Sequence, residues 1–285
     1  MAEPIQLVEC PRDAWQGKTD IIPTAQKVLY LQSLLAVGFH TLDAGSFVSS
    51  KAVPQLADTG AVLRSLDLRD TNTRLLVILA NERGADQASE HPFISYWGYP
   101  LSVSETFQQR NTRQTIPEGI EVAKRLQERA IRSSASLVVY ISMGFGNPYG
   151  ESYHSDQVLA LADTLQSAGV ETISLADTVG VATPAQVGEL VSICQKEFSS
   201  IRWGVHLHAR PEGQREKIAA AYMAGCRRFD GAIGGHGGCP FAEDEMVGNI
   251  NTHALIEYLE SVDPGFQVDR DRFNTSASLA QTIFS

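Results

Sequence analysis

The most constraining feature of this sequence is a regular alternation of short β-rich runs with segments of helical periodicity. The β-rich runs cover residues 5–9, 40–43, 74–79, 93–96, 137–141, 171–175, 202–208 and 228–232. Most of these runs are apolar enough to be buried on both faces, as the strands of a parallel sheet are. Eight strands that alternate with helices in one chain predict an α/β fold, the (β/α)8 TIM barrel.

Capping residues mark where several of the helices begin. Thr115 and Glu118 have the spacing of a capping box, and Thr183, Pro184 and Gln186 supply a cap, an N1 proline and an N3 partner. The third and fourth helices of the barrel are poorly defined by the sequence. Helices are predicted over residues 24–36, 115–131, 155–168, from 183 onward, 214–224 and 252–260.

The length suits one barrel domain. The chain has 285 residues, of which 43% are hydrophobic, so a large core is expected. We expect a single catalytic domain over residues 1–285, with the barrel at about 5–260 and a short C-terminal tail at about 266–285. The alternative is an open doubly wound sheet. That fold usually carries a glycine-rich phosphate loop after its first strand, where this chain has Cys10-Pro11-Arg12-Asp13.

Charge and composition exclude several classes of protein. The formal net charge of −10 argues against non-specific nucleic-acid binding. The sequence contains no run of about 18 apolar residues, so no transmembrane helix is expected. Residues 1–4 lack the features of a signal peptide. Four cysteines without a CxxC pair indicate no disulfide framework. A cytoplasmic location without membrane partners is therefore expected.

Polar side chains follow the predicted strands, where barrel enzymes gather their chemistry. The first strand is followed by Arg12 and Asp13, the second ends in Asp43 and Ser46, and Tyr140 ends the fifth. Ser174, Asp177 and Thr178 end the sixth, His206 and His208 the seventh, and the eighth leads to Cys239.

The pair His206 and His208 carries the most chemistry. Residues two apart on a strand face the same side, so both imidazoles can approach one point. Two imidazoles and a carboxylate are a common set for a divalent metal, and Asp13 is the best carboxylate candidate. These ligands suit Mn²⁺, Mg²⁺, Co²⁺, Fe²⁺ or Zn²⁺. The alternative is that HxH is a common short pattern in which one imidazole contacts a backbone carbonyl.

Two further features suggest catalysis, and each has a simpler alternative. A guanidinium such as that of Arg12 can bind a carbonyl or enolate oxygen through two donors, although an ordinary ion pair is the more frequent role. The segment 234–240 contains four glycines and Cys239, so it could fold over a ligand and deliver a thiol. The alternative is a tight turn with a passive cysteine.

Several motifs in order resemble one enzyme family. They are Arg12-Asp13, Ser46-Phe47-Val48-Ser49, the run 174–180, His206-Leu207-His208, Gly237-Gly238-Cys239-Pro240 and Gly248-Asn249. Together, over roughly residues 5–260, they resemble the 3-hydroxy-3-methylglutaryl-CoA lyases, which belong to the metal-dependent TIM-barrel lyases and Claisen-type synthases. The Gly-Gly-Cys-Pro loop favours the lyase over isopropylmalate or homocitrate synthase.

The resemblance implies roles for individual residues. Arg12 would stabilise the enolate oxygen, Asp13 or His206 would take the hydroxyl proton, and Cys239 would protonate the enolate carbon. Asp177 would orient a ligand histidine. The implied metal ligands, for Mg²⁺ or Mn²⁺, are Asp13, His206, His208 and Asn249. The implied substrate contacts are Arg12, Ser46, Tyr140, Ser174 and Thr178.

The expected reaction is cleavage of 3-hydroxy-3-methylglutaryl-CoA to acetoacetate and acetyl-CoA, as in leucine degradation or ketone-body formation. The alternatives are a related Claisen or aldol-type enzyme acting on another acyl-CoA or a 2-oxo acid, and a non-catalytic barrel that binds an acyl-CoA. His253, Met143 and the segment 209–212 depart from the pattern of many relatives. The resemblance also implies a homodimer.

Overall fold

The strands close into a parallel barrel. The structure, a computed structural model, describes residues 3–238 and 247–284. Strands pair in the order of the chain, and β8 pairs back onto β1, which confirms the predicted TIM barrel. The strands are β1 Gln6–Glu9, β2 Thr41–Phe47, β3 Arg74–Leu79, β4 Ile94–Ser102, β5 Ser136–Ser142, β6 Thr172–Asp177, β7 Arg202–Leu207 and β8 Arg228–Gly231.

Helices lie between the strands and cover the outside of the barrel. They are α1 Pro11–Gln16, α2 Thr24–Leu35, α3 Thr59–Arg64, α4 Glu82–Ser89, α5 Glu105–Thr112, α6 Ile116–Arg132, α7 Ser155–Ser167, α8 Pro184–Glu197, α9 Gln214–Met223, α10 Thr252–Val262 and α11 Arg270–Phe284. The capping boxes predicted at Thr115 and Thr183 are present. Helices α3 and α4 have only 6 and 8 residues, which is too short for a clear apolar stripe in the sequence.

Strand β4 runs well beyond its predicted end. Gly98 and Pro100 weaken the strand pattern of the sequence, yet β4 pairs with β5 through Ser102. A Cβ atom at Gly98 would lie 2.5 Å from Cδ1 of Ile78 and 3.1 Å from the ring of Tyr140. The glycine is therefore required by close packing inside the barrel, where tertiary contacts override strand propensity.

The C-terminal extension is a helix. The side chains of Phe273, Ser276 and Ala280 follow one another at helical spacing and are buried, and Arg272 donates a hydrogen bond to the carbonyl of Ala36 beyond α2. The Ser, Thr and Asp content of this segment predicts a tail, and it makes the narrow stripe of buried residues difficult to recognise in the sequence. None of the helices in the described ranges is both long and apolar enough to cross a membrane.

Glu9, at the end of β1, connects the first strand by hydrogen bonds to the segment after β8 and to the start of α10. Its side chain is fully buried; Oε1 accepts from the Ile233 backbone N–H at 2.9 Å, and Oε2 accepts from Thr252 Oγ1 at 2.5 Å. Burial raises the pKa of Glu9 to about 8, although both hydrogen bonds oppose this rise. The carboxyl group is therefore mostly neutral at pH 7.

We predict that Glu9→Gln stabilises the protein at pH 8 relative to the wild type and changes little at pH 4. A glutamine mimics the neutral acid, whereas the wild-type carboxyl ionises in the unfolded chain above about pH 4.5 but in the folded chain only near pH 8. The contribution of Glu9 to the free energy of unfolding is therefore greatest below pH 4.5 and falls as the pH rises toward 8. Thermal melts of both proteins across this range measure the effect, and a pH-independent difference in Tm would contradict it.

Candidate active site

A cavity of about 490 Å³ opens at the carboxyl ends of the strands. Its walls hold most of the residues that the sequence nominates for function, because parallel strands of a barrel deliver their carboxyl ends to one mouth. The predicted site residues in its lining are Arg12, Asp13, Ser46, Tyr140, Thr178, His206 and His208.

Two predicted residues lie elsewhere, and a third is outside the described residues. Asn249 is buried behind the cavity, against Asp13. Ser174 is fully buried within β6, is not among the cavity-lining residues described, and its hydroxyl has no partner in the described part of the chain. Cys239 lies outside the described residues, so its catalytic role stays a prediction.

Arg12 and Asp13 sit in the short helix α1, directly after β1. Helical spacing brings Gln16 within reach of both side chains. Arg12 Nη1 donates to Asp13 Oδ1 at 2.8 Å and to Gln16 Oε1 at 2.9 Å, and Gln16 Nε2 donates to Asp13 Oδ1 at 2.7 Å. Gln16 is a site residue that the sequence reasoning missed, although its i+3 and i+4 spacing could have indicated it.

Asp43 is placed at the end of β2 by the sequence, but its contact with Arg12 and a role in the site were not predicted. Arg12 donates to Asp43 Oδ2 from Nε at 2.9 Å and from Nη2 at 2.6 Å. Its other oxygen, Oδ1, is buried and has no hydrogen-bond partner within the described residues. Burial raises the pKa of Asp43 to about 6, although the charge of Arg12 opposes the rise. A carboxyl group in a cavity wall that has hydrogen bonds to only one of its two oxygens is a strong candidate for proton transfer.

Asp13, His206 and His208 form a compact donor cluster. One ligand atom from each lies within 4.8 Å of the others, and the two Nε2 atoms are 3.3 Å apart. Asn249 Nδ2 donates to Asp13 Oδ2 at 2.7 Å and to the carbonyl of His236 at 2.9 Å. This leaves Asn249 Oδ1 buried and without a partner among the described groups. One carboxylate, two imidazoles and an orphaned amide oxygen fit a divalent metal.

The outer nitrogen of each imidazole is held by a separate group. His206 Nδ1 lies 3.3 Å from Asp230 Oδ2, and His208 Nδ1 lies 2.7 Å from the carbonyl of Val247. Both Nε2 atoms are thereby turned toward Asp13. Holding the outer nitrogen fixes the tautomer and the direction of a ligand histidine.

The expected role of Asp177 needs correction, because the carboxylate does not contact either imidazole. It accepts from the backbone N–H groups of Val181 and Ala182 and from Lys217 Nζ, the last at 2.7 Å. Lys217 in turn donates to the carbonyl of His208 at 3.0 Å. Asp177 therefore shapes the turn after β6 and reaches His208 only through a lysine and the backbone, whereas Asp230 and Val247 orient the histidines.

The surroundings of the cluster favour the metal-binding protonation states of Asp13 and His208, but not that of His206. Burial alone raises the pKa of Asp13, but the charges of Arg12 and the histidines outweigh it, so the pKa lies below its usual value. Burial and the charge of His206 lower the pKa of His208. Burial also lowers the pKa of His206, but the hydrogen bond to Asp230 and the charge of Asp13 outweigh it and raise that pKa. Asp13 is thus held ionised and His208 neutral.

The described part of the glycine loop packs directly on this cluster. Gly237 has φ +104°, and a Cβ atom there would lie 2.5 Å from Asn249 Nδ2 and 3.0 Å from Asp13 Oδ2. A side chain at this position would displace both groups, so the approach of the loop requires glycine. The described part of the loop is therefore packed against the cluster.

The cavity hydroxyls are anchored to backbone groups. Ser46 Oγ donates to the carbonyl of Ile78 at 3.0 Å, and Thr178 Oγ1 accepts from the Met143 N–H at 2.9 Å. Ser46 keeps acceptor capacity and Thr178 keeps its donor for a bound molecule.

A closed α/β barrel whose cavity holds a cluster that could bind a metal ion is the arrangement of an α/β-barrel enzyme. The chain belongs to the HMGL-like family, whose pattern it matches over residues 5–279.

Particular relatives narrow the comparison. A hydroxymethylglutaryl-CoA lyase of Bacillus subtilis is 28% identical over 267 residues, 94% of this chain and 88% of the relative. The (R)-citramalyl-CoA lyase of Chloroflexus aurantiacus is 31% identical over 264 residues, 89% of this chain and 83% of the relative. Among solved structures, an HMG-CoA lyase from Acinetobacter baumannii in complex with coenzyme A and 3-methylmalate superposes with a TM-score of 0.89. It is 30% identical and covers 96% of this chain and 89% of its own.

We predict that replacing His206 and His208 together by alanine abolishes stoichiometric binding of Mn²⁺, because only Asp13 and Asn249 would remain as ligands. Metal content after dialysis, with electron paramagnetic resonance of added Mn²⁺, measures the loss. His40→Ala is the control, since His40 precedes β2, and it should bind like the wild type. Unchanged Mn²⁺ binding by the double variant would rule out this cluster as the metal site.

Proposed function

We propose that this chain is a metal-dependent carbon–carbon lyase that cleaves 3-hydroxy-3-methylglutaryl-CoA to acetoacetate and acetyl-CoA. The observation that carries the proposal is the cluster of Asp13, His206, His208 and Asn249 beside Arg12 in the cavity of an HMGL-like chain. The reaction needs a site that binds a tertiary alcohol and a thioester oxygen together. A barrel mouth with a cation site and a guanidinium offers both.

The four proposed ligands would hold a cation of the kind that the chemistry of the substrate requires. A divalent ion, Mg²⁺ or Mn²⁺, held by these residues would lower the pKa of the substrate hydroxyl and orient it. The oxygen and nitrogen donors of this set suit hard and borderline cations. Gly237 and the carbonyl of His236 pack against one side of the cluster.

Arg12 is proposed to stabilise the enolate oxygen. Its side chain makes four hydrogen bonds, to Asp13, Asp43 and Gln16. A guanidinium has five N–H donors, so one remains for the thioester oxygen. Because the carboxylates hold the guanidinium rigidly, it needs little reorganisation as charge develops on that oxygen.

We assign acceptance of the hydroxyl proton to Asp43, which lines the cavity. Both oxygens of Asp13 already accept hydrogen bonds, and the outer nitrogen of His206 is held by Asp230. Asp43 Oδ1 has no such partner within the described chain, and its pKa of about 6 lies close to neutral pH. Breaking the carbon–carbon bond would then release acetoacetate and leave the enolate of acetyl-CoA, which Cys239 is expected to protonate.

A second substrate deserves a parallel test because one relative is named (R)-citramalyl-CoA lyase. Citramalyl-CoA also has a tertiary hydroxyl β to a thioester, so the same residues would cleave it to pyruvate and acetyl-CoA. The barrel and α11 are proposed to act as a single catalytic domain. A cytoplasmic location, a homodimer, a role in leucine degradation and the lack of nucleic-acid partners remain predictions.

We predict that the purified protein with Mg²⁺ or Mn²⁺ forms acetoacetate from 3-hydroxy-3-methylglutaryl-CoA, and that EDTA abolishes this activity. An enzyme-coupled assay for acetoacetate measures the product, and a parallel assay for pyruvate follows citramalyl-CoA. Pyruvate without acetoacetate would transfer the assignment to the second substrate. The absence of both products from folded, metal-loaded protein would refute the lyase proposal.

We predict that Asp43→Asn lowers kcat by about 100-fold or more, since general acid–base groups contribute on that order, and leaves Mn²⁺ binding near normal. In the wild type, kcat/KM should fall as the pH drops through about 6, because Asp43 becomes protonated and no longer accepts a proton. The variant should lack this limb of the pH profile. Asp67→Asn, which removes a carboxylate paired with Arg69 on the surface, is the control. Full activity of Asp43→Asn would eliminate Asp43 as the base.

A further inference from the structure

Arg228 is a buried cation inside the barrel that the proposed reaction does not use. It is the first residue of β8 and is only 3% exposed. Its Nη1 donates to Asp230 Oδ1 at 2.8 Å, and its Nη2 donates to the hydroxyl of Tyr140 at 3.2 Å. Arginine is seldom buried this deeply unless its charge and donors are satisfied.

The barrel is built to accommodate this side chain. Gly204 on β7 pairs with Arg228, and a Cβ atom at Gly204 would lie 3.1 Å from Nη1 and 3.2 Å from Cβ of the arginine. Gly98 makes similar room beside Tyr140, the other partner of the guanidinium. Two glycines on different strands thus leave the space that the Arg228–Tyr140 pair fills.

Asp230 connects Arg228 to the metal cluster. Arg228 and Asp230 are two residues apart on β8, so both side chains face the barrel interior. One carboxylate oxygen of Asp230 accepts from Arg228, and the other lies 3.3 Å from His206 Nδ1. With Nδ1 donating to Asp230, Nε2 of His206 is the lone-pair nitrogen, and it faces His208 and Asp13.

We propose that Arg228 is a positioning residue for the metal site: through Asp230 it holds His206 in its metal-binding tautomer and direction. Through the hydroxyl of Tyr140 it also fixes the facing wall of the cavity. The proposal rests on the proposed function only in that the cluster of Asp13, His206, His208 and Asn249 binds a divalent cation.

Arg228 holds Asp230 through both the positive charge and the forked shape of its guanidinium. Without Arg228, the buried Asp230 carboxylate loses a donor to Oδ1 and its charge partner, which is strongly unfavourable in a buried site. The carboxylate is then free to turn toward other donors and away from His206. A lysine restores the charge but has no planar fork with which to bind Asp230 and Tyr140 together, so it rescues only part of the function.

The test is Mn²⁺ binding, measured by calorimetry and electron paramagnetic resonance without substrate, for Arg228→Met, Arg228→Lys and Arg227→Met. Loss of the outer contact to a ligand histidine, here that of Asp230 with His206, typically weakens metal binding about 10- to 100-fold. Because Arg228→Met frees Asp230 to turn away from His206, we expect a loss of this order for Arg228→Met and a smaller loss for Arg228→Lys. Arg227 is the neighbouring residue on the chain, and its guanidinium contacts the backbone and ring of Tyr222 instead. Arg227→Met should bind Mn²⁺ like the wild type.

A double-mutant cycle with Asp230→Asn separates positioning from general packing. If Arg228 acts through Asp230, the double variant Arg228→Met/Asp230→Asn binds Mn²⁺ about as weakly as Asp230→Asn alone. Additive losses, or Mn²⁺ binding by folded Arg228→Met within twofold of the wild type, would overturn the proposal. If Arg228→Met does not fold, wild-type binding by Arg228→Lys together with unchanged binding by Asp230→Asn would overturn it.

Failure of this inference is distinguishable from failure of the proposed function. Wild-type protein that binds Mn²⁺ but forms neither acetoacetate nor pyruvate would refute the lyase and leave the role of Arg228 intact. Wild-type protein that is active, together with Arg228 variants whose Mn²⁺ affinity is unchanged, would refute the role of Arg228 and leave the lyase proposal intact. Wild-type protein that binds no Mn²⁺ would refute both.

Discussion

The pairing of β1 with β8 is the contact on which the rest of the site depends. It joins residues 6–9 to residues 228–231 and closes the barrel. Closure brings Asp13, just after β1, to His206 and to Asn249, which lies 236 residues away along the chain. The buried Glu9 reinforces the same junction through Ile233 and Thr252. Without closure, the proposed ligands would belong to separate segments with no common geometry.

Buried charge is the second constraint, and it supports the proposed cation site. Around His206 and His208, the carboxylates of Asp13 and Asp43 pair with the guanidinium of Arg12, and that of Asp230 pairs with Arg228. Each arginine forms a hydrogen-bonded ion pair, as buried charges must. One negative charge remains beside two imidazoles and an orphaned amide oxygen, which is an environment that attracts a metal ion.

Much of the fold and part of the site could be predicted from the sequence, because those features are local. The strands follow from short apolar runs, and the His206–His208 pair follows from the two-residue period of a strand. The sequence places Asp43 at the mouth of the barrel but gives it no role, and it does not single out Gln16 or Arg228, since an Asp, a Gln or an Arg near a strand is common and only its neighbours reveal a role. Asp177 was assigned to a histidine because the sequence does not show that Lys217 intervenes. Strand β4 and helix α11 extend beyond local expectation because packing, not propensity, stabilises them.

The sequence by itself therefore determined the alternation of strands and helices, the identity of the candidate ligands and the side of the barrel on which they lie. These depend on spacing along the chain, which is visible in one dimension. Only the tertiary structure decided which side chains share hydrogen bonds: Arg12 with Asp43, His206 with Asp230, and Arg228 with both Asp230 and Tyr140. The physical reason is that burial and pairing across the barrel set pKa, tautomer and orientation, and these arise from neighbours that lie far apart in the chain.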